Sequence, residues 1–142
     1  MVKLRNAISE DLEEINNILF INGQIGDVVE EDIKWVIVAE DEGEVVGCGM
    51  LKDHEDSVEI RKVSVLPDTR GKGVGKEIVL RLLVKAKGRS CWLTSVESHN
   101  FWEFFGFVAV TEEEEPRDVI EHCRRCTRRQ ECNRVVMVRD VE

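Results

Sequence analysis

Six residues, Arg70-Gly71-Lys72-Gly73-Val74-Gly75, constrain the fold of this chain more than any other stretch. They separate an alternating apolar run at 58–66, which predicts a strand, from a run with helical apolar spacing at 74–87. Glycines let the backbone approach an anion closely, and the first turn of the following helix offers amide hydrogens at its positive end. The stretch therefore predicts a phosphate-binding turn from strand into helix.

Three roles for this loop compete: a cradle for the pyrophosphate of an acyl-CoA, a nucleotide-binding loop, and a connecting turn without a ligand. Arg70, Lys72 and Lys76 add positive charge there. No Lys-Ser or Lys-Thr pair follows the last glycine, whereas nucleotide loops use such a pair for phosphate and magnesium. The missing pair argues against the nucleotide loop, and the acyl-CoA cradle and the connecting turn both stay open at this point.

The composition is that of one folded domain. The chain has 142 residues, of which 42% are hydrophobic and 35% charged, so we expect a single domain over 1–142. A net charge of −9 argues against nucleic-acid binding, which needs a basic surface. No apolar run is long enough to cross a membrane, and the start lacks the apolar core of a signal peptide. We therefore expect a cytoplasmic protein, with no membrane partner.

Apolar periodicity predicts the remaining elements. An antiparallel meander leads into the glycine loop, and the strand after the loop helix should lie parallel to the strand before it. Gly47 and Gly49, inside a strand, indicate a bulge or the close approach of another element. The predicted strands are 2–7, 35–40, 45–52, 58–66, 90–96, 107–110 and 135–138, and the predicted helices are 9–20, 28–34, 74–87 and 100–105.

Two stretches resemble the GNAT N-acetyltransferase superfamily: the run from Val63 through the loop to Gly75, and Phe101-Trp102-Glu103-Phe104-Phe105-Gly106-Phe107. The resemblance covers essentially the whole chain. It implies an α/β (α+β) fold with a mixed central sheet of about six to seven strands, an antiparallel meander, an acetyl-CoA loop and flanking helices. It also implies an acetyl-CoA-dependent acyltransferase.

The tail is similar to the end of short amino-acid N-acetyltransferases related to N-acetylglutamate synthase. It has Pro116, then Cys123, Cys126 and Cys132, then the last predicted strand. This likeness implies a small-molecule acceptor, the α-amine of an amino acid such as glutamate, and a role in amino-acid biosynthesis. Two alternatives remain open: a transferase for another amine, such as a protein N-terminus or a polyamine, and a non-catalytic acyl-CoA sensor or interaction module. Many relatives dimerise, so a homodimer is the default expectation.

The resemblance also implies roles for individual residues. Pantetheine would run along the strand before the loop, and pyrophosphate would lie on the loop itself. A β-bulge amide on that strand would polarise the thioester carbonyl. The residues implied for the donor are Val63, Ser64, Val65, Arg70, Gly71, Lys72, Gly73, Val74, Gly75 and Lys76.

Glu59 is the carboxylate on the strand before the loop and is the predicted general base. Its even spacing from Val63 and Val65 puts the three side chains on one face, if the strand is regular. Salt bridging at a sheet edge is the alternative role. Arg5, Lys52, Arg61 and Lys62 are cations that could bind a substrate carboxylate, although solvation is the default for each.

No general acid is evident, because the chain contains no tyrosine and Trp102 stands where many relatives carry one. A CoA thiolate is a good leaving group near neutral pH, so a dedicated acid is not required. Ser95, Ser98 and His99 are nearby alternatives. His99 and His54 are both predicted as exposed loop histidines.

The segment 119–132 is a Cys/Arg-rich insert before the last strand. Together with His122, the cysteines Cys123, Cys126 and Cys132 offer up to four ligands and part of the spacing of a structural zinc site. The alternative is a packed thiol cluster or a redox-labile turn, and we assign no metal site. Cys48 and Cys91 lie in apolar strands and are predicted core residues.

Overall fold

The fold was examined in a computed structural model that describes residues 1–24, 26–95, 99–110 and 135–139. Short 3-10 turns lie at Ser9–Asp11, Glu30–Trp35 and Pro67–Thr69. The helices are α1 (Leu12–Ile21), α2 (Val74–Lys85) and α3 (His99–Glu103). The strands are β1 (Val2–Asn6), β2 (Val36–Asp41), β3 (Glu44–Asp53), β4 (Val58–Val65), β5 (Cys91–Ser95), β6 (Val108–Ala109) and β7 (Val135–Arg139).

The strands form a seven-stranded mixed sheet in the order β1-β2-β3-β4-β5-β7-β6. The pairs β1–β2, β2–β3, β5–β7 and β6–β7 are antiparallel, whereas β4 and β5 are parallel. The predicted mixed sheet of six to seven strands is therefore confirmed, and so is the parallel pair around the loop helix. The predicted helix at 28–34 is instead the 3-10 turn Glu30–Trp35, consistent with its poor apolar periodicity.

The internal contacts group the chain into two compact units. One unit contains Met1–Lys52 and Ile60–Gly88, and the other contains Asp53–Glu59 and Arg89–Glu142. A single N-acetyltransferase domain over 1–142 remains a prediction. Among the described residues, every helix is too short or too polar to span a membrane.

In the first unit, two glycines allow a helix to pack tightly on a strand. A Cβ atom built on Gly49 would lie 2.7 Å from Ile78 Cγ2 and 3.0 Å from Leu82 Cδ1, and one built on Gly47 would lie 3.2 Å from Ile78 Cδ1. Side chains at these β3 positions would therefore collide with α2. The predicted close approach is confirmed, and it packs the middle of α2 directly on the sheet.

In the second unit, aromatic side chains form the core. Trp92 is fully buried and packs with Val136. The ring of Trp102 lies 5.7 Å from that of Phe107 and 6.3 Å from that of Phe105, and all three side chains are buried. Trp102 therefore packs in the core of this unit.

Candidate functional site

The glycine loop has the backbone of an anion cradle. Gly71 and Gly73 have φ angles of +83° and +79°, and a Cβ atom on either would meet nothing within 4 Å. These positions require glycine for the left-handed backbone and not for space. Helical hydrogen bonding in α2 begins with the amide of Glu77, which donates to Gly73 O over 3.1 Å. The amide groups of 74–76 precede that bond, at the positive end of the helix.

The predicted cations of the loop differ in their surroundings. Lys72 and Lys76 are exposed. Arg70 is also exposed, but its Nε donates to Val65 O over 3.2 Å and its Nη2 to Asn22 Oδ1 over 2.6 Å. Arg70 therefore ties the entrance of the loop to the end of β4, which positions the loop as well as charging it.

The end of β4 presents main-chain groups at an edge. The amide of Leu66 donates to Val46 O on β3 over 2.9 Å, so the main-chain groups of Val63 and Val65 point towards the opposite edge. There, Val63 O accepts a hydrogen bond from Gln24 Nε2 at 2.9 Å, and Val65 O accepts one from Asn22 Nδ2 at 3.0 Å. A strand edge of this kind suits an extended ligand that carries amides.

The side chains of this part of β4 are directed into the protein. Val63 Cγ2 and Val65 Cγ2 lie 3.3 and 3.4 Å from the positions where Gly49 and Gly47 would carry a Cβ. Ser64 is buried, and its hydroxyl accepts a hydrogen bond from Asn22 Nδ2. What β4 offers a ligand here is its backbone. The roles of Asn22 and Gln24 were missed by the sequence analysis, because one pair of amides in a glycine-containing break has no periodic signal.

Strand β4 is irregular in its middle. Lys62 has a φ of +58°, a left-handed conformation that is rare for a residue with a side chain, and its Nζ donates to Gly26 O over 3.1 Å. The regular alternation that would put Glu59 on one face with Val63 and Val65 is therefore broken between them. The prediction of a shared face depended on a regular strand, and that condition is wrong. The β-bulge that the resemblance implies on this strand remains a prediction.

In the second unit, Glu59 is buried and paired. Its side chain is 4% exposed, and its Oε1 lies 2.9 Å from Nε2 of His54, whose side chain is 18% exposed. The prediction that His54 is an exposed loop histidine is wrong, because the turn between β3 and β4 folds the imidazole back over the strand. The sequence analysis did not predict this pair, because a histidine five residues before a strand carboxylate follows no helical or strand period.

Arg5, one of the cations considered for a substrate carboxylate, is engaged by the fold. Its Nη1 and Nη2 donate to Asp11 over 2.8 and 2.9 Å, and its Nε donates to Glu40 over 3.2 Å. The hydrogen bond from Arg5 lowers the pKa of the Asp11 carboxyl, and the same pair raises the pKa of Arg5. This ion pair links β1, the start of α1 and β2.

Several predicted residues lie outside what the structure describes. These are Ser98, the side chains of Ser95 and His99, and the cysteines Cys123, Cys126 and Cys132. A role as general acid for the first group, and a zinc site or thiol cluster for the second, remain predictions.

Comparison with known proteins identifies the family. The sequence model of the acetyltransferase (GNAT) family matches residues 4–107. An uncharacterised N-acetyltransferase of Chlorobaculum tepidum is 24% identical over 96% of this chain and 94% of its own.

Solved structures show the same fold. N-acetylglutamate synthase of Neisseria gonorrhoeae, complexed with coenzyme A and N-acetyl-glutamate, superposes with a TM-score of 0.83 at 24% identity over 100% of this chain. This chain spans only 35% of the length of that synthase chain. Rv2747 of Mycobacterium tuberculosis, in complex with CoA, superposes with a TM-score of 0.77 at 24% identity over 99% of each chain. The solved structures show a shared fold, and the family match shows that the chain belongs to the GNAT acetyltransferase family and is an acetyl-CoA-dependent N-acetyltransferase.

Proposed function

We propose that this enzyme transfers the acetyl group of acetyl-CoA to the α-amine of a small amino acid, with glutamate as the first candidate. The observation that carries the proposal is the likeness of the whole chain to the synthase complexed with coenzyme A and N-acetyl-glutamate, at a TM-score of 0.83. The cysteine spacing of the tail supports it. The proposal assigns the enzyme to amino-acid biosynthesis in the cytoplasm and takes a homodimer as the default.

Acetyl-CoA, the acetyl donor, would bind along the first unit. Its pyrophosphate would accept hydrogen bonds from the amides of 71–76, with Lys72 and Lys76 adding positive charge. Its pantetheine amides would align with the backbone of Val63 and Val65. Support comes from the left-handed glycines of the loop, the helix start at Val74 and the edge carbonyls of β4.

The chemistry needs a base and little more. Glu59 would take a proton from the substrate ammonium, directly or through water, and the free amine would attack the thioester carbonyl. The amide at the predicted β-bulge of β4 would stabilise the developing oxyanion. The tetrahedral intermediate loses the second amine proton and collapses to the N-acetyl product and the CoA thiolate. That proton would reach the thiolate through solvent, with Ser95, Ser98 and His99 as the alternative acids, since the chain has no tyrosine.

A second candidate acceptor is a protein N-terminus. Naa50 of Arabidopsis thaliana, in complex with a bisubstrate analogue of CoA and a peptide, superposes with a TM-score of 0.70 at 16% identity over 98% of each chain. This likeness is weaker than that to the synthase. Membership of an acyltransferase family favours an enzyme over a non-catalytic acyl-CoA sensor.

A substrate panel tests the proposal. Purified protein is incubated with acetyl-CoA and, separately, with L-glutamate, other amino acids, spermidine or a short peptide with a free N-terminus, and thiol release is followed. We expect turnover with one or more amino acids, highest for glutamate or a relative. Tight binding of CoA without turnover of any amine would contradict the proposal. Glu59→Gln, which keeps the shape of the side chain, should lower turnover about 100-fold or more if Glu59 is the base.

A further inference from the structure

The turn at 53–57, between β3 and β4, places an imidazole against the carboxylate proposed as the base. His54 Nε2 and Glu59 Oε1 are 2.9 Å apart, and the Glu59 side chain is 4% exposed. A buried carboxylate is costly unless donors satisfy it. A carboxylate must be ionised to act as a base, and in that form it only accepts hydrogen bonds, so the proposed role of Glu59 requires the hydrogen of this pair on Nε2 of His54.

The imidazole is held by contacts that do not involve Glu59. The amide of His54 donates to Ser57 O over 3.0 Å, which closes the turn. The ring lies 5.2 Å from the Trp92 ring at an interplanar angle of 37°. Trp92 Nε1 in turn donates to Ser57 Oγ over 3.1 Å. The core of the second unit therefore fixes the His54 ring through both the ring face and the turn.

Arg89 closes the same turn from its outer side. Its Nη2 lies 2.8 Å from Asp53 Oδ1 and 2.8 Å from Glu55 O. The hydrogen bond from Arg89 lowers the pKa of the Asp53 carboxyl, which stays ionised beside the guanidinium. The His54–Ser57 hydrogen bond and the contacts of Arg89 thus hold the turn in place. They keep Nε2 of His54 directed towards β4.

We propose that His54 is a positioning residue that acts through Glu59. Its Nε2–H donates to Oε1 and fixes the rotamer and plane of the carboxylate that takes the substrate proton, while His54 itself transfers no proton. The inference rests on the proposed function in one respect, which is that Glu59 is the base. Fixing the direction of a base matters because small errors in its placement are costly in rate.

Two substitutions separate this role from simple packing. His54→Gln keeps an N–H donor near the position of Nε2, whereas His54→Met keeps bulk and removes the donor. With acetyl-CoA and the best amine of the panel, we expect His54→Met to lower kcat roughly 10- to 100-fold, with KM for acetyl-CoA within about twofold. His54→Gln should retain activity within about threefold of wild type. Equal losses in both variants would overturn the proposal.

The double variant locates the effect. If His54 acts through Glu59, adding His54→Met to Glu59→Gln should lower kcat by less than about twofold further. A further loss by the full single-variant factor would show that His54 acts independently and would overturn the inference. If Glu59→Gln alone keeps wild-type turnover, the base assignment fails and the inference with it, although acetyl transfer stands.

Nitrogen NMR of the imidazoles tests the contact in the native protein and does not require His54→Met to fold. The chain has three histidines, so the His54 signals are identified by their loss in His54→Gln. We expect a protonated Nε2 whose shift changes in Glu59→Gln. An Nε2 without a hydrogen, or a shift that is insensitive to Glu59→Gln, would overturn the pairing even if no amine in the panel gives turnover.

Discussion

Replacing Gly73 with alanine should weaken CoA binding by an amount that follows from its backbone. Gly73 has a φ of +79° and lies immediately before α2. An L-residue in this conformation costs about 1–2 kcal/mol, and here no clash adds to that cost. The free loop of Gly73→Ala should relax out of this conformation, because no ligand then holds it there. Binding of CoA must then restore the strained shape.

CoA affinity should therefore fall about 5- to 30-fold, which is the same 1–2 kcal/mol expressed as a dissociation constant. Titration calorimetry with CoA measures it. The matched control is Gly43→Ala in the β2–β3 hairpin, where φ is +85° and a Cβ likewise meets nothing within 4 Å. Gly43→Ala carries the same backbone strain outside the loop, so it should lower the free energy of unfolding by about 1–2 kcal/mol and leave CoA affinity unchanged.

A CoA affinity of folded Gly73→Ala that equals wild type within about twofold would refute this reasoning, since that is below the smallest expected loss. An equal loss of CoA affinity in Gly43→Ala would also refute the reasoning, because strain outside the loop would then be enough to weaken CoA binding.

Three further changes test the fold around the site. Gly49→Ala should lower the free energy of unfolding in urea by about 1–3 kcal/mol, because the new Cβ would lie 2.7 Å from a helix side chain. Arg5→Met should lower the free energy of unfolding, measured by calorimetry, by about 1.5–3 kcal/mol, because it removes the hydrogen-bond donors that lower the pKa of Asp11. Because the pKa of Asp11 is lower in the folded protein, its ionised carboxylate stabilises the fold at pH values above the ordinary pKa of 3.8. This stabilisation is lost as the pH falls through the folded-state pKa. The loss of stability in acid should therefore be shallower in Arg5→Met than in wild type. Burial raises the pKa of Cys48 to about 12, so peptide mapping should find Cys48 unmodified by iodoacetamide at pH 8 in the folded protein.

Each of these has a result that would contradict it. Unchanged stability of Gly49→Ala would mean that α2 lies further from β3 than described. If the clash is real, adding Ile78→Ala to Gly49→Ala should relieve it, because the side chain that the new Cβ meets is then shortened. If the stability of Arg5→Met falls with decreasing pH as steeply as that of wild type, the ion pair does not contribute to acid stability as described. Rapid alkylation of Cys48 without denaturant, compared with an unfolded control, would contradict its burial.

Most of the fold followed from local pattern. The glycine loop, the strand before it and the amphipathic helix after it were predictable because periodicity and φ requirements are properties of short stretches. The close approach at Gly49 was one of the two causes that a glycine inside an apolar strand indicated, the other being a bulge.

The contacts that decide the site were less predictable, because they join residues without a shared period. Neither Asn22 on the edge of β4 nor His54 beside Glu59 follows from spacing. The irregularity at Lys62 broke an inference that needed strict alternation, and a positive φ at a lysine has no sequence signature. Arg5 could not be told from a ligand-binding cation until Asp11 was placed beside it.

The most direct test of the central claim is a competition among acceptors. The protein is given acetyl-CoA and an equimolar mixture of the amino acids, spermidine and a peptide with a free N-terminus, and the products are identified by mass. The account predicts an N-acetylated amino acid as the main product, with glutamate or a relative first. Acetylation confined to spermidine or the peptide would contradict the proposed acceptor, and no acetylated product at all would contradict the proposed function.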